Sequence, residues 1–481
     1  MGFSNGVILI TYPDSLGKNL RELAGIMEKY FSKAITGLHI LPFYPSSGDR
    51  GFAPITYKDV EPAFGSWEDI AYLAEKYDLT ADLMVNHISR RSHQFLDYVK
   101  YGDESPYADM FIRFSRFWKK GGPDKGDIEK IYKRKPKEPS LEIRFGHGGS
   151  EKVWSTFDAE QIDLNISSSL VMDFLHDSLV SLAGRGASVI RLDAFGYAVK
   201  KEGTDCFFVE PEIWDVLSSL KATAEEQGAV LLPEIHENYT YQLKLAEKGY
   251  WVYDFALPML VLHALFSGTN KKLLNWLRIC PRKQFTTLDT HDGIGIVDAA
   301  DLLDSEEIEK TKACLFEKGA NVKPVYSTSE YNNLDVYQIN CTYYSALGHD
   351  DSAYLLARAI QYFSPGIPHI YYTGLLAGEN DTALMEKTKF GRDINRHSYS
   401  PEEVESAVLR PVVKALIRLT MFRSRYPAFQ GDIDIGSRGD SDLELTWQYG
   451  DFRACLTADL KKTSFSVVYT EMGKDQTLMI V

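Results

Sequence analysis

The feature that most constrains this chain is an alternation of short β-branched runs with amphipathic helical stretches, sustained from the first residues. That is the pattern of repeated βα units around a parallel sheet. Strand-like runs are predicted at Val7 to Thr11, Thr36 to Leu41, Thr80 to Val85, Ala187 to Leu192, Ala229 to Leu232, Trp251 to Phe255, Gln284 to Leu288 and Ile367 to Tyr372. Eight runs predict a closed (β/α)8 barrel; an open doubly wound sheet is the competing arrangement. Between them Asn19 to Phe31, Trp67 to Tyr77, Leu170 to Ala183, Pro211 to Glu226 and Leu355 to Phe363 keep apolar residues at helical spacing, giving each helix one face to pack on the sheet.

Two connections are too long for plain βα loops: about 100 residues between the third and fourth strands and about 80 between the seventh and eighth. Each is expected to be a functional insertion. The predicted organisation is a TIM barrel over 1–85, 168–293 and 348–427, an inserted domain over 86–167, a second over 294–347, and a small C-terminal β domain over 428–481. The last rests on the alternating runs Leu443 to Gln448, Phe452 to Thr457 and Ser464 to Tyr469, after a final barrel helix near Arg418 to Arg425.

Composition excludes several classes of function. A net charge of −14 repels a phosphate backbone at long range, so nucleic acid is not expected as a partner. No apolar run approaches the roughly 18 residues of a membrane span, and the N-terminus lacks the basic region and apolar core of a signal peptide. No membrane partner is expected. Five widely spaced cysteines, Cys206, Cys280, Cys314, Cys341 and Cys455, without any C-x-x-C, fit reduced thiols, so the cytoplasm is expected.

In such a barrel the chemistry sits on loops at the C-terminal strand ends, where this sequence places carboxylates. The fourth run closes Val-Ile-Arg-Leu-Asp, with Arg191 and Asp193 on one face; the fifth closes Leu-Leu-Pro-Glu-Ile-His, placing Glu234. The seventh delivers Asp289, His291 and Asp292, and the third ends Asp82-Leu-Met-Val-Asn86-His87. Singly, each reads as readily as a salt bridge or loop cap; together they are expected to converge on one pocket. Two carboxyls flanking a glycosidic bond are what a retaining mechanism needs, one as nucleophile and one as acid then base. The Arg191 charge should keep Asp193 ionised for attack, while Glu234, with no cation adjacent in sequence, is expected to stay protonated. Phosphate-binding, dinucleotide, serine-hydrolase, zinc and EF-hand motifs are absent from the sequence, so no metal is required.

At these residues the chain resembles the α-amylase superfamily, whose short signatures match Asp82 to His87, Arg191 to Asp193, Glu234 and His291-Asp292. Along nearly its whole length it also resembles the sucrose phosphorylases. The strings are Leu-Ile-Thr-Tyr-Pro-Asp-Ser-Leu-Gly, Gly-Asp-Arg-Gly-Phe-Ala-Pro around Asp49, Leu-Asp-Thr-His-Asp-Gly-Ile-Gly, Asn-Leu-Asp-Val-Tyr-Gln-Ile-Asn, Thr-Tyr-Tyr-Ser-Ala-Leu-Gly and Gly-Arg-Asp-Ile-Asn-Arg-His. The resemblance implies Asp193 as the nucleophile of a β-glucosyl-enzyme, Glu234 as acid and base, and Asp292 as stabiliser of the oxocarbenium-like transition state. It assigns Asp49, His87, Arg191, His291 and Arg392 to the donor sugar, with Phe52, Phe157 and Tyr197 as aromatic walls and Gln161 nearby. It implies no cofactor or metal.

Intercepting a glucosyl-enzyme with phosphate instead of water calls for a fixed cation at the acceptor side. The run Lys130-Ile-Tyr-Lys-Arg-Lys-Pro-Lys137 carries five basic residues in eight, and Arg134 can grip phosphate in a fork. Composition alone reads it equally well as a solvated loop. By the resemblance, Arg134, Asp335, Val336, Tyr337 and Gln338 serve fructose in one half-reaction and phosphate in the other. The expected partners are sucrose, inorganic phosphate, glucose 1-phosphate and fructose, handled by a monomer or homodimer. Sucrose 6'-phosphate is the alternative donor, with the basic run receiving its second phosphate; glucosylglycerol and glucosylglycerate phosphorylases are more distant. A plain hydrolase, or a sugar-binding protein that has lost catalysis, are the readings from other classes.

Overall fold

The computed structural model describes residues 3–134, 138–320 and 338–480. The strands, in chain order, are β1 (Val7–Thr11), β2 (Ile35–Ile40), β3 (Asp78–Met84), β4 (His87–Ser89), β5 (Ser140–Arg144), β6 (Ser150–Trp154), β7 (Gln161–Asp163), β8 (Ala187–Asp193), β9 (Val230–Pro233) and β10 (Val252–Asp254). They continue with β11 (Gln284–Thr286), β12 (Ile294–Gly295), β13 (Gln338–Ile339), β14 (Ile367–Tyr371), β15 (Asp432–Gly436), β16 (Asp442–Tyr449), β17 (Phe452–Asp459), β18 (Ser464–Glu471) and β19 (Lys474–Thr477).

The eight predicted barrel runs are the eight strands of the parallel sheet of a (β/α)8 barrel, ordered β10-β11-β14-β1-β2-β3-β8-β9. Burial explains why these runs read as continuous hydrophobic stretches. Every residue of β1 is buried, as both faces of a barrel strand are covered.

The chain forms two compact units, Phe3–His39 with His236–Val481, and Ile40–Ile235. In the first, β10, β11, β14 and β1 lie side by side, with Tyr253 opposite Phe285 and Leu9 opposite Ile370. Its C-terminal part is a five-stranded antiparallel sheet, β15 to β19. Three of these strands match the predicted runs. The two edge strands escape the pattern because β19 is exposed along its whole length and β15 has no buried residue, so neither carries a buried apolar face for the sequence to show.

The predicted first helix is an α-helix only over Leu20–Ile26, capped by Asn19, whose Oδ1 accepts from the Arg21 and Glu22 N–H groups at 3.1 and 3.0 Å. It then widens into a π-helical turn, Met27–Phe31, that keeps Met27 and Phe31 in the core. No helix of the described residues is long and apolar enough to cross a membrane.

In the second unit β3, β8 and β9 pair in parallel, and the helix Ser169–Gly184 buries Val171, Leu175, Leu179 and Leu182 at helical spacing. Two antiparallel pairs, β4 with β7 and β5 with β6, occupy the stretch between β3 and that helix. Trp154 of β6 packs in a small core with Ile112, Phe114, Trp118, Ile131 and Cys206.

At the end of β10, Asp254 is fully buried, accepting from Trp276 Nε1 at 3.0 Å and from the Leu257 N–H at 3.0 Å. Burial raises its carboxyl from 3.8 to about 7 despite these donors. A proton is thus held by the folded protein at pH values where the unfolded chain has released it. Stability should therefore fall as pH rises from about 4 towards about 7. Asp254→Asn is expected to flatten that part of the curve, measured as urea midpoints of wild type and variant at pH 5 and 7.5; parallel curves would show that Asp254 does not titrate there.

Candidate active site

In the unit Ile40–Ile235 the sheet register assembles the charged cluster. Pairing β3 with β8 sets Asp82 beside Arg191 and Met84 beside Asp193, while β8 and β9 pair Leu192 with Pro233, so Glu234 follows directly at the next strand end. The Glu234 N–H donates to Leu192 O at 3.0 Å. Arg191 Nη1 donates to Asp82 Oδ1 at 2.5 Å and to Asp193 Oδ1 at 2.9 Å, and its Nη2 lies 3.6 Å from Glu234 Oε1. One buried guanidinium therefore faces three carboxylates.

This changes one expectation. Sequence adjacency gave Glu234 no cation, but the register brings Arg191 to it, so the cation alone does not divide the two carboxyls into nucleophile and acid. A second contact separates them. Ala194, in the left-handed region at φ 51°, turns the chain directly after Asp193 and donates its N–H to Glu234 Oε2 at 2.9 Å. Asp193 sits at the strand end and Glu234 is held from the side.

The predicted sugar residues of this unit form one neighbourhood. His87 Nε2 donates to the Phe52 carbonyl at 2.9 Å, and Gln161 Nε2 donates to the same oxygen at 2.8 Å. Burial pushes the His87 imidazole below its ordinary value and keeps it neutral. The Phe157 ring stands edge-on to His87 at 5.6 Å and to Tyr197 at 5.1 Å, and Arg191 lies 5.8 Å from the Phe52 ring. Asp49 and Arg50 both take positive φ, 43° and 47°, in a tight turn whose third residue, Gly51, has φ 108°. A side chain there would meet Pro42 O at 2.5 Å, so only glycine closes the loop.

Arg134 is buried: its Nε donates to the Tyr197 hydroxyl and its guanidinium lies 5.6 and 5.5 Å from the Tyr132 and Tyr197 rings. From the same basic run, Lys130 is exposed and donates to Gly203 O, and Lys135 and Lys137 fall outside the described residues. The run is thus not one solvated face, since Arg134 turns inward.

The unit Phe3–His39 with His236–Val481 carries the other predicted residues. Asp292 receives Arg392 Nη1 at 2.8 Å and has His291 Nε2 at 3.6 Å and His236 Nε2 at 3.8 Å. Asn395 Nδ2 donates to the Asp292 carbonyl at 2.9 Å, and Gln338 Oε1 accepts from the Gly293 N–H at 3.1 Å, fixing the backbone around that carboxylate. Asp289 belongs elsewhere, in a buried ion pair with Arg358 Nη2 at 2.5 Å, where it supports the core. Asp335, Val336 and Tyr337 lie outside the described residues.

Two residues, His236 and Lys200, are not among the predicted site residues, and Asp82, predicted at the third strand end, has no predicted role there. Asp82 shares Arg191. His236 stacks on Phe255 at 3.8 Å between Asp292 and Asp298. Lys200 is buried beneath the turn after β8. For Asp82 and His236 the signal was present, in the alternation of β3 and in the Glu-Ile-His string; nothing local marks Lys200.

Residues 10–257 match the family model described as alpha amylase, catalytic domain. The chain is 51% identical to a sucrose phosphorylase of Streptococcus mutans over 480 residues, covering 99% of both chains. It is 47% identical to a sucrose 6(F)-phosphate phosphorylase of Thermoanaerobacterium thermosaccharolyticum over the full length of both. A crystal structure of sucrose 6F-phosphate phosphorylase from Thermoanaerobacter thermosaccharolyticum superposes with a TM-score of 0.95 at 48% identity, covering 99% of this chain and 98% of that one.

Proposed function

This chain belongs to the α-amylase family, and from that premise we propose that it catalyses the reversible phosphorolysis of sucrose, with retention, to α-D-glucose 1-phosphate and D-fructose. One observation carries the reading: a single unit holds two carboxylates on neighbouring strand ends together with a buried arginine, Arg134, turned onto Tyr197.

Asp193 attacks the glucosyl anomeric carbon as Glu234 protonates the departing fructosyl oxygen, giving a β-glucosyl-enzyme and fructose. Phosphate then attacks that carbon, the Asp193–carbon bond breaks, and two inversions leave an α-linked phosphate. Asp292 acts on the sugar hydroxyls as positive charge builds at the ring. His291 and Arg392, whose contacts hold Asp292, join Asp49, His87, Gln161 and Arg191 as hydrogen-bonding partners of the sugar, with Phe52, Phe157 and Tyr197 as apolar walls. Arg134, with Gln338, Asp335, Val336 and Tyr337, serves the acceptor. The chemistry needs no cofactor. Five cysteines without a disulfide support the cytoplasm as its compartment.

The test is glucose 1-phosphate formation from sucrose and from sucrose 6'-phosphate, each with and without inorganic phosphate. Phosphate-dependent product mainly from sucrose is the expected result. Product mainly from sucrose 6'-phosphate would give the reading to the second donor, which the full-length relative at 47% identity keeps in view. Phosphate-independent free glucose would make the protein a hydrolase.

Arg134 decides between phosphate and water in this scheme. A hydrogen bond to a charged group contributes about 1.5–3 kcal/mol, so Arg134→Ala should raise the ratio of hydrolysis to phosphorolysis by roughly 10- to 100-fold. Glucose and glucose 1-phosphate measured in one reaction give that ratio directly. An unchanged ratio would remove Arg134 from phosphate binding.

A further inference from the structure

Lys200 lies seven residues beyond Asp193 and takes no part in the chemistry above. Its side chain is 1% exposed, and its ammonium is bonded on three sides. Nζ lies 2.6 Å from Asp163 Oδ2, donates to the Tyr197 carbonyl at 2.5 Å, and donates to Asn86 Oδ1. An ammonium has three protons, and three acceptors take them. The Trp154 ring closes another side at 6.0 Å.

The acceptors come from three separate stretches of chain, each continuous with a residue of the proposed sugar or phosphate site. Asn86 directly precedes His87, and its Nδ2 is 3.3 Å from His87 Nδ1. Asp163 lies opposite His87 in the pairing of β4 with β7, which also sets Gln161 opposite Ser89. Tyr197 packs its ring on Phe157 and accepts from Arg134 Nε with its hydroxyl.

A buried ion pair needs its remaining protons satisfied, and here the two acceptors that take them belong to other stretches of chain than Asp163. Burying an ammonium and a carboxylate costs desolvation that their attraction repays only with good geometry and further hydrogen bonds. Here Thr156 donates to Asp163 through its N–H at 2.9 Å and its hydroxyl at 2.5 Å, completing the acid's partners. Burial opposes ionisation of Asp163, but Lys200 and Thr156 more than offset it and hold the carboxyl below its usual range. What the second and third partners of the ammonium add is relative position: an end of β3, an end of β7 and the turn after β8 meet at one atom.

We propose that Lys200 is a positioning residue, an internal clamp that sets the donor-sugar residues His87 and Gln161 against the Tyr197–Arg134 pair. This rests on the reading of the site as a sucrose phosphorylase. Loss of the clamp should act on two quantities together, kcat/KM for sucrose and the partition of the glucosyl-enzyme between phosphate and water. A misplacement of about 1 Å at a catalytic site can lower rates about 100-fold.

The experiment compares wild type, Lys200→Met and the double variant Lys200→Met/Asp163→Asn. Lys200→Met leaves the Asp163 charge buried alone, so its Tm should drop. The double variant removes both charges and should regain most of that Tm. In both, kcat/KM for sucrose phosphorolysis should remain about 10- to 100-fold below wild type, mainly through KM, with hydrolysis gaining on phosphorolysis several-fold. If the double variant regains wild-type kcat/KM and partition with its Tm, Lys200 is only the counter-charge of Asp163 and the proposal is overturned. A folded Lys200→Met with wild-type kinetics overturns it too. Absence of phosphorolysis in the wild type itself would instead overturn the functional reading, and the clamp's stated role with it.

Discussion

Asp193→Ala should lower phosphorolysis of sucrose by at least about 10⁴-fold, because without a covalent intermediate the retaining pathway is closed. The fold should survive the change. Arg191 keeps Asp82 at 2.5 Å and Glu234 at 3.6 Å, so the guanidinium is not left without a partner, and one like charge leaves a crowded cluster. Glucose 1-phosphate release under saturating sucrose and phosphate measures the activity, and thermal melts followed by circular dichroism check the fold. A folded variant with activity within about 100-fold of wild type would mean that another group attacks the sugar.

Glu234→Gln carries the second large effect. General acid catalysis contributes about 10²–10⁴-fold, and fructose needs a proton to leave, so sucrose turnover should fall towards the upper end of that range. α-D-Glucosyl fluoride separates this role from a structural one. Fluoride departs without a proton and the attacking phosphate is already an anion, so turnover of this donor with phosphate should fall by less than about 10-fold. Glutamine keeps a carbonyl oxygen to accept from the Ala194 N–H, which spans 2.9 Å to Glu234 in the wild type. Equal losses on both donors would take the acid role from Glu234.

The two expectations depend on different parts of the molecule. Asp193 ends β8, and its place at the close of the run Ala187 to Asp193, two residues after Arg191 on one face, is enough to put it at a strand mouth. Glu234 ends the next strand, and its position is equally legible. Its surroundings are not. The Arg191 contact and the Ala194 N–H come from the β8–β9 register and from a left-handed turn, neither of which the string Leu-Leu-Pro-Glu-Ile-His encodes locally.

The same division runs through the fold and the rest of the site. The eight barrel strands were legible because each is buried on both faces, so its apolar run is continuous; β15 and β19 were not, because exposed edge strands carry no such pattern. Chain order specifies covalent neighbours and the periods of strand and helix, and these suffice for the barrel, the strand-end carboxylates and the inward-facing partner Arg191. Only the folded register decides which distant side chains meet. It brings Asp82 to Arg191 across 109 positions, draws Asp289 away to Arg358 across 69, and sets Lys200 against Asn86 across 114. Buried charge must find a partner within hydrogen-bond reach, and that requirement acts in space, where separation along the chain carries no information.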